Sequence, residues 1–140
     1  MGDASYMQFT VKTKDLERIF KISPYAEDYS DRMDEDDGTT TLHFSEANQG
    51  GTDIFQPLAG DKDKGVNFVG FYDAGGTYPD VAFANHDGEY AEVVTTADGD
   101  IVVIVAWKDG QVVPQKENIN SVKRYFQIRD KVLVYIKDSD

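Results

Sequence analysis

A chain of 140 residues, 40% apolar and 12% aromatic, has the length and composition of one domain that can bury its own core, spanning 1–140. It contains no cysteine, which excludes disulfides, thiolate metal sites and cysteine nucleophiles. Net charge is −12, and nineteen carboxylates against four basic side chains put −15 into residues 27–115, a field that repels nucleic acid and anionic lipid and draws basic partners.

The opening Met1-Gly2-Asp3-Ala4-Ser5-Tyr6 lacks the basic and apolar regions of a signal peptide. Tyr6 also stands where an N-myristoylation motif needs Ser or Thr. The longest apolar run, Ile101 to Trp107, is too short to cross a bilayer. The expectation is a soluble cytoplasmic protein with no membrane partner.

Residues 6–12 alternate, with Met7, Phe9 and Val11 facing one way, and predict a half-buried strand. Thr13 is the expected N-cap of a short helix over 14–22, docked by Leu16, Ile19 and Phe20 and stopped at Ser23-Pro24. Residues 24–38 predict an acidic, turn-rich connection. Thr39 to Ser45 predicts a strand, and 46–65 a long polar loop.

Asp87-Gly88, Asp98-Gly99 and Asp109-Gly110 recur at a constant interval of eleven residues, and Asp-Gly supplies the positive φ angles of tight hairpins. With Gly75-Gly76 as an earlier turn, 66–114 predicts a five-stranded meander with strands near 66–72, 78–85, 89–96, 100–107 and 111–114. The segment 101–107 is apolar on both faces, so a central, covered position is expected. Asn118 or Asn120 is a candidate cap for a helix carrying Ile119, Val122 and Phe126 inward, with Lys123, Arg124 and Arg129 largely outside. A closing strand is expected over 131–137, with Val132, Val134 and Ile136 on one face. The fold class is α+β: an antiparallel meander sheet of five to seven strands with two short helices on one side, in the order β-α-β-βββββ-α-β.

No catalytic motif stands out. His43-Phe44-Ser45 looks like one half of a two-histidine phosphoesterase site, but His86-Asp87-Gly88 has no hydroxyl in its third place and falls at a turn. Asp34-Glu35-Asp36-Asp37-Gly38 fails as a calcium loop, because Met33 and Phe44 occupy ligand positions. Gly50-Gly51 and Gly75-Gly76 lack the lysine of a phosphate loop. No metal, no cofactor and no direct nucleic-acid contact is expected. The stretch from Met7 to Phe20 resembles the strand-then-helix opening of a bacterial sliding-clamp domain, and 121–138 is similar in style to a clamp helix and its strand. That likeness covers about a quarter of the chain, and the basic inner surface a clamp needs is missing.

What remains is an acidic stretch with aromatic anchors: Tyr25, Glu27, Asp28, Tyr29, Asp31, Asp34, Glu35, Asp36 and Asp37, opposed only by Arg32. Tyrosines offer rigid contact area while carboxylates steer and pair a basic surface. The expected function is a non-enzymatic inhibitor of a basic partner, such as a nuclease toxin or a nucleic-acid-handling defence complex: an immunity protein or a phage-type nucleic-acid mimic. One alternative is a phage or assembly subunit acting through protein contacts, self-association included. Another is a small hydrolase or ligand binder using His43 or carboxylates near Tyr72, Tyr78 and Trp107.

Overall fold

The structure is a computed structural model that describes residues 6–28, 30–45, 56–59, 65–73 and 80–137. Strand β1 (Tyr6–Lys12) leads through a 3-10 turn (Thr13–Asp15) into α1 (Leu16–Ile22). Ser23 ends that helix, and Pro24 opens the next, α2 (Pro24–Asp28), at the position where a missing N–H costs nothing. Thr13 does not cap: its hydroxyl lies 2.7 Å from that of Thr40.

The acidic connection is not merely a loop. Besides α2 it forms β2 (Asp31–Asp34), which turns back into β3 (Thr39–Phe44). Then come β4 (Phe68–Asp73), β5 (Asp80–His86), β6 (Glu89–Thr95), β7 (Val105–Lys108), β8 (Gln111–Pro114) and α3 (Lys116–Lys137). Six strands make one antiparallel sheet in the order β2-β3-β1-β4-β5-β6, and β7 and β8 make a separate ribbon. The class is α+β, as the alternation and turn spacing predict.

Register assigns every side chain to a face. Met7, Phe9 and Val11 share one with Leu42, Phe44, Phe68, Tyr72 and Phe83, and there they meet Leu16 and Ile19 of α1, Ala26 of α2, Leu58 and Val66. Asn85, fully buried among them, donates from Nδ2 to the Val66 carbonyl at 2.8 Å and pins that crossing segment. The other face carries Ala84, Ala91 and Val93 beneath Tyr125, Ile128, Val132 and Ile136 of α3. The helices therefore lie on both sides of the sheet, not on one.

All three Asp-Gly pairs are turns. Asp87-Gly88 and Asp109-Gly110 have positive φ at both residues and close the β5–β6 and β7–β8 hairpins; Gly99 has a φ of +89°. Gly75-Gly76 and most of 46–65 lie outside the described residues. The meander itself stops early. After the Asp98-Gly99 turn the chain makes a bridge from Ile101 to Thr95 and a bond from the Val102 N–H to the Val94 carbonyl, then leaves the sheet. Arg124 occupies the outward carbonyl of Tyr90, at 2.8 Å, and Asn118 takes the Ile104 N–H at 2.7 Å. Residues expected to form a covered central strand become an exposed ribbon instead.

The expected closing strand is also corrected. With no Gly or Pro between Lys116 and Lys137, nothing breaks the helix, and the i, i+3, i+7, i+11 stripe of Tyr125, Ile128, Val132 and Ile136 outweighs the local alternation. Ile119, Val122 and Phe126 are only partly buried, so the inward face is rotated from the predicted one.

Two substitutions separate helix from strand at 131–137. Ile136→Ala, at a buried position, is expected to cost about 2–4 kcal/mol in urea unfolding. Val134→Ala, at a position 73% exposed, should stay within about 0.5 kcal/mol, whereas a strand would make both costly. Gly70→Ala should cost about 2 kcal/mol or more, because its Cβ would meet the Gln8 carbonyl oxygen and the Phe9 Cα at 2.1 and 2.7 Å.

Candidate functional site

The acidic residues of 24–38 gather around one edge of the main sheet. Strand β2 is that edge, exposed at every residue, and pairs only with β3 among the described strands. Asp31 falls opposite His43, on the face shared with Thr41. Asp34 falls opposite Thr40, on the other face. Glu35, Asp36 and Asp37 form the exposed tip, and α2 places Glu27 and Asp28 one short span before Asp31, within about 11 Å of chain. Tyr25 is 51% exposed on α2, while Tyr29 lies outside the described residues. Carboxylates thus occupy both faces and the tip of a single edge.

Two of them serve the hairpin itself. Asp34 Oδ1 accepts from Arg32 Nε and from the Thr40 hydroxyl, each at 2.8 Å. Asp37 Oδ1 accepts from the Thr39 hydroxyl at 2.7 Å and the Thr39 N–H at 3.1 Å, closing a turn completed by Gly38 at a φ of +85°. The Glu35 N–H donates to the Thr39 carbonyl, and the Thr13 N–H to that of Gly38, which ties the tip to the end of β1. Asp34 and Asp37 therefore stiffen the turn, and Glu27, Asp28, Asp31, Glu35 and Asp36 supply the charge a partner would meet.

The second polar region lies on the sheet face beside α3. The Tyr6 hydroxyl donates to Gln8 Oε1 at 2.8 Å and also contacts His43 Nδ1. The ring's other nitrogen is Nε2. That Nε2 is buried with no hydrogen-bond partner among the described residues. Burial raises the Tyr6 pKa above its ordinary value, keeping the phenol neutral. His86 ends β5 with Nε2 at 3.4 Å from the Asp87 carboxylate. Through Gln8 and Phe71, His43 is level with Ala82, so the two histidines are separated by roughly 20 Å across three strands. No group of three metal-ligating side chains occurs among the described residues. No described helix is long and apolar enough to cross a membrane.

A groove of about 470 Å³ opens beside Tyr125, near the middle of α3, lined also by Val69, Phe71 and Ala82, with Asp80 and Asp98 adding carboxylates. Tyr72 belongs to the buried core, Trp107 stands 75% exposed on the ribbon, and Tyr78 is outside the described residues. Sequence reasoning missed the Tyr6–His43 pair, which needs the β1–β3 register. The Asp109-Gly110 hairpin was legible, but its separation from the main sheet was not.

The Arg32 guanidinium, then the Thr40 hydroxyl, hold the Asp34 carboxyl below the ordinary 3.8; the Thr39 hydroxyl and N–H do the same for Asp37. A depressed folded-state pKa gives stability that is present above 3.8 and lost as pH falls through the folded value. Carboxyl NMR titration should place both midpoints below 3.8, with Arg32→Gln raising that of Asp34 and Thr39→Val that of Asp37.

No protein-family model, curated protein or solved structure matches this chain.

Proposed function

We propose that this chain is a non-enzymatic binding protein that blocks a basic partner, as an immunity protein does a nuclease toxin or a nucleic-acid mimic a defence complex. The observation that carries the reading is the carboxylate-wrapped edge, seven acidic residues against one arginine over 24–38, on a hairpin stiffened by its own side chains. Phosphate-binding surfaces are basic by necessity, so an acidic surface of defined shape can occupy them. A pre-ordered hairpin loses little conformational entropy on binding, and like-signed carboxylates raise the rate of encounter. Tyr25 adds an aromatic contact beside the charge.

The hydrolase alternative gains no support around His43 among the described residues. Tyr6 already engages Nδ1, and His86 lies too far away to share a substrate.

The test is calorimetric binding to a panel of basic nuclease domains at low and high salt. The comparison variant combines Asp28→Asn, Asp31→Asn, Glu35→Gln and Asp36→Asn, leaving the structural Asp34 and Asp37 untouched. Affinity of the parent chain should fall steeply with salt. The variant should melt like the parent, bind at least about tenfold more weakly and show a flatter salt dependence. Equal affinity in both proteins rejects this edge as the site.

A further inference from the structure

We infer that the partner engages the acidic edge by strand addition: an extended segment of alternating basic and apolar residues pairs antiparallel with β2 and continues the main sheet. This rests on the proposed reading of the edge and specifies the chemistry of what binds there. Glu35 gives its N–H to the Thr39 carbonyl, so these two residues form a hydrogen-bonded pair of the β2–β3 hairpin. In an antiparallel ladder such pairs alternate with pairs that exchange no bonds. Met33–Thr41 and Asp31–His43 are therefore bonded pairs. Arg32 and Asp34, opposite Leu42 and Thr40, turn their N–H and C=O groups away from β3. Those outward groups have no partner among the described residues.

The opposite margin of the sheet differs. There the Val94 carbonyl accepts from the Val102 N–H and the Tyr90 carbonyl from Arg124, so β6 is partly satisfied from within the chain. Of the main sheet's two margins, β2 is the open one among the described residues, and it is exposed at every position. Another extended backbone supplies donors and acceptors at the two-residue spacing that Arg32 and Asp34 present.

The two faces of this margin select different side chains. Asp31 and Met33 share one face, which Glu35 continues by alternation. Residues of an incoming strand on that side meet carboxylates, so they are basic. Arg32 and Asp34 share the other face, where their own charges already pair at 2.8 Å. Beside them α1 and α2 leave a groove of about 420 Å³, lined by Leu16 and Phe20 between Glu17, Lys21 and Glu27. An incoming residue opposite Arg32 or Asp34 has its side chain on this side and brings an apolar group to Phe20. A second copy of this chain matches less well. The antiparallel register that sets Arg32 against the other copy's Asp34 also sets Asp31 against its Glu35, both acidic.

The experiment is amide hydrogen exchange of the full chain, read by NMR, with the synthetic peptide acetyl-Lys-Val-Lys-Val-Lys-Val-Lys-amide as probe. Two control peptides are N-methylated, one at the valines, whose N–H groups would face β2, the other at the lysines, whose N–H groups would face away. The Arg32 and Asp34 amides should exchange at least about tenfold more slowly with peptide, while the Met33 amide, already in the ladder, changes little. Methylation at valine should abolish this protection and methylation at lysine should preserve it. Unchanged exchange at Arg32 and Asp34 in millimolar peptide overturns the proposal, as does equal binding by both methylated forms. Protection that grows with protein concentration in the absence of peptide overturns it too, because the occupant is then a second copy. A basic nuclease domain that binds, is weakened by the four-fold charge variant and yet leaves Arg32 and Asp34 unprotected overturns strand addition alone. Failure of the edge reading itself shows separately, as nuclease affinity that the charge variant does not change.

Discussion

Phe9 lies at the middle of the sheet opposite a residue without a side chain, Gly70, and the approach there is too close for even a methyl group. That contact fixes the β1–β4 register. The ring then stacks on Phe44 at 5.6 Å between centroids and meets Phe68 at 5.4 Å. Phe68 meets Phe83 edge-on, and Phe83 stacks on Tyr90, so aromatic contact runs across the sheet from β3 to β6. Because side chains alternate, a slip of one residue anywhere in this series would turn the core outward. The placement of Asp31 and Asp34 on opposite faces of the edge follows from the same register.

The second layer depends on small residues. Ala82, Ala84 and Ala91 keep the sheet surface low beneath α3, which lets Tyr125 and Ile128 sit close over β5 and β6. At the far end of the helix, buried Lys12 places its ammonium 4.8 Å from the Tyr135 ring centre, while the Tyr135 hydroxyl donates to Asp15 at 2.7 Å. A cation–π contact and a charge-assisted bond thus tie α3 to the end of β1. One helix spans from β6 to β1 and leaves the Tyr6–His43 region of the same face to polar side chains.

Local chemistry made much of this legible. β1 is written in strict alternation, α1 in three apolar positions ending at a Ser-Pro pair, and the hairpin turns in Asp-Gly pairs whose backbone requirement few other residues meet. The readings that failed were those in which one pattern fits two structures. Val132, Val134 and Ile136 alternate like a strand, and only the longer stripe beginning at Tyr125 shows the helical period. The apolar run 101–107 reads as a covered strand. Whether it stays in the sheet is decided by Arg124 and Asn118, residues distant in sequence that take up the backbone groups it would have used. At the acidic edge, composition alone located the carboxylates. The division between those that brace the turn and those that face outward required coordinates.

The position of β2 has a bearing on colloidal behaviour as well. An outermost strand offers unpaired main-chain donors and acceptors to any other extended segment, and charge is one of the ways such a margin is kept from polymerising. Here Asp31 and Asp34 lie along it, with Asp36 and Asp37 at its end. Acidification below the carboxylate range, or wholesale neutralisation by substitution, would strip away that guard. The edge offered for recognition is thus also one where lost negative charge invites fibril-like stacking.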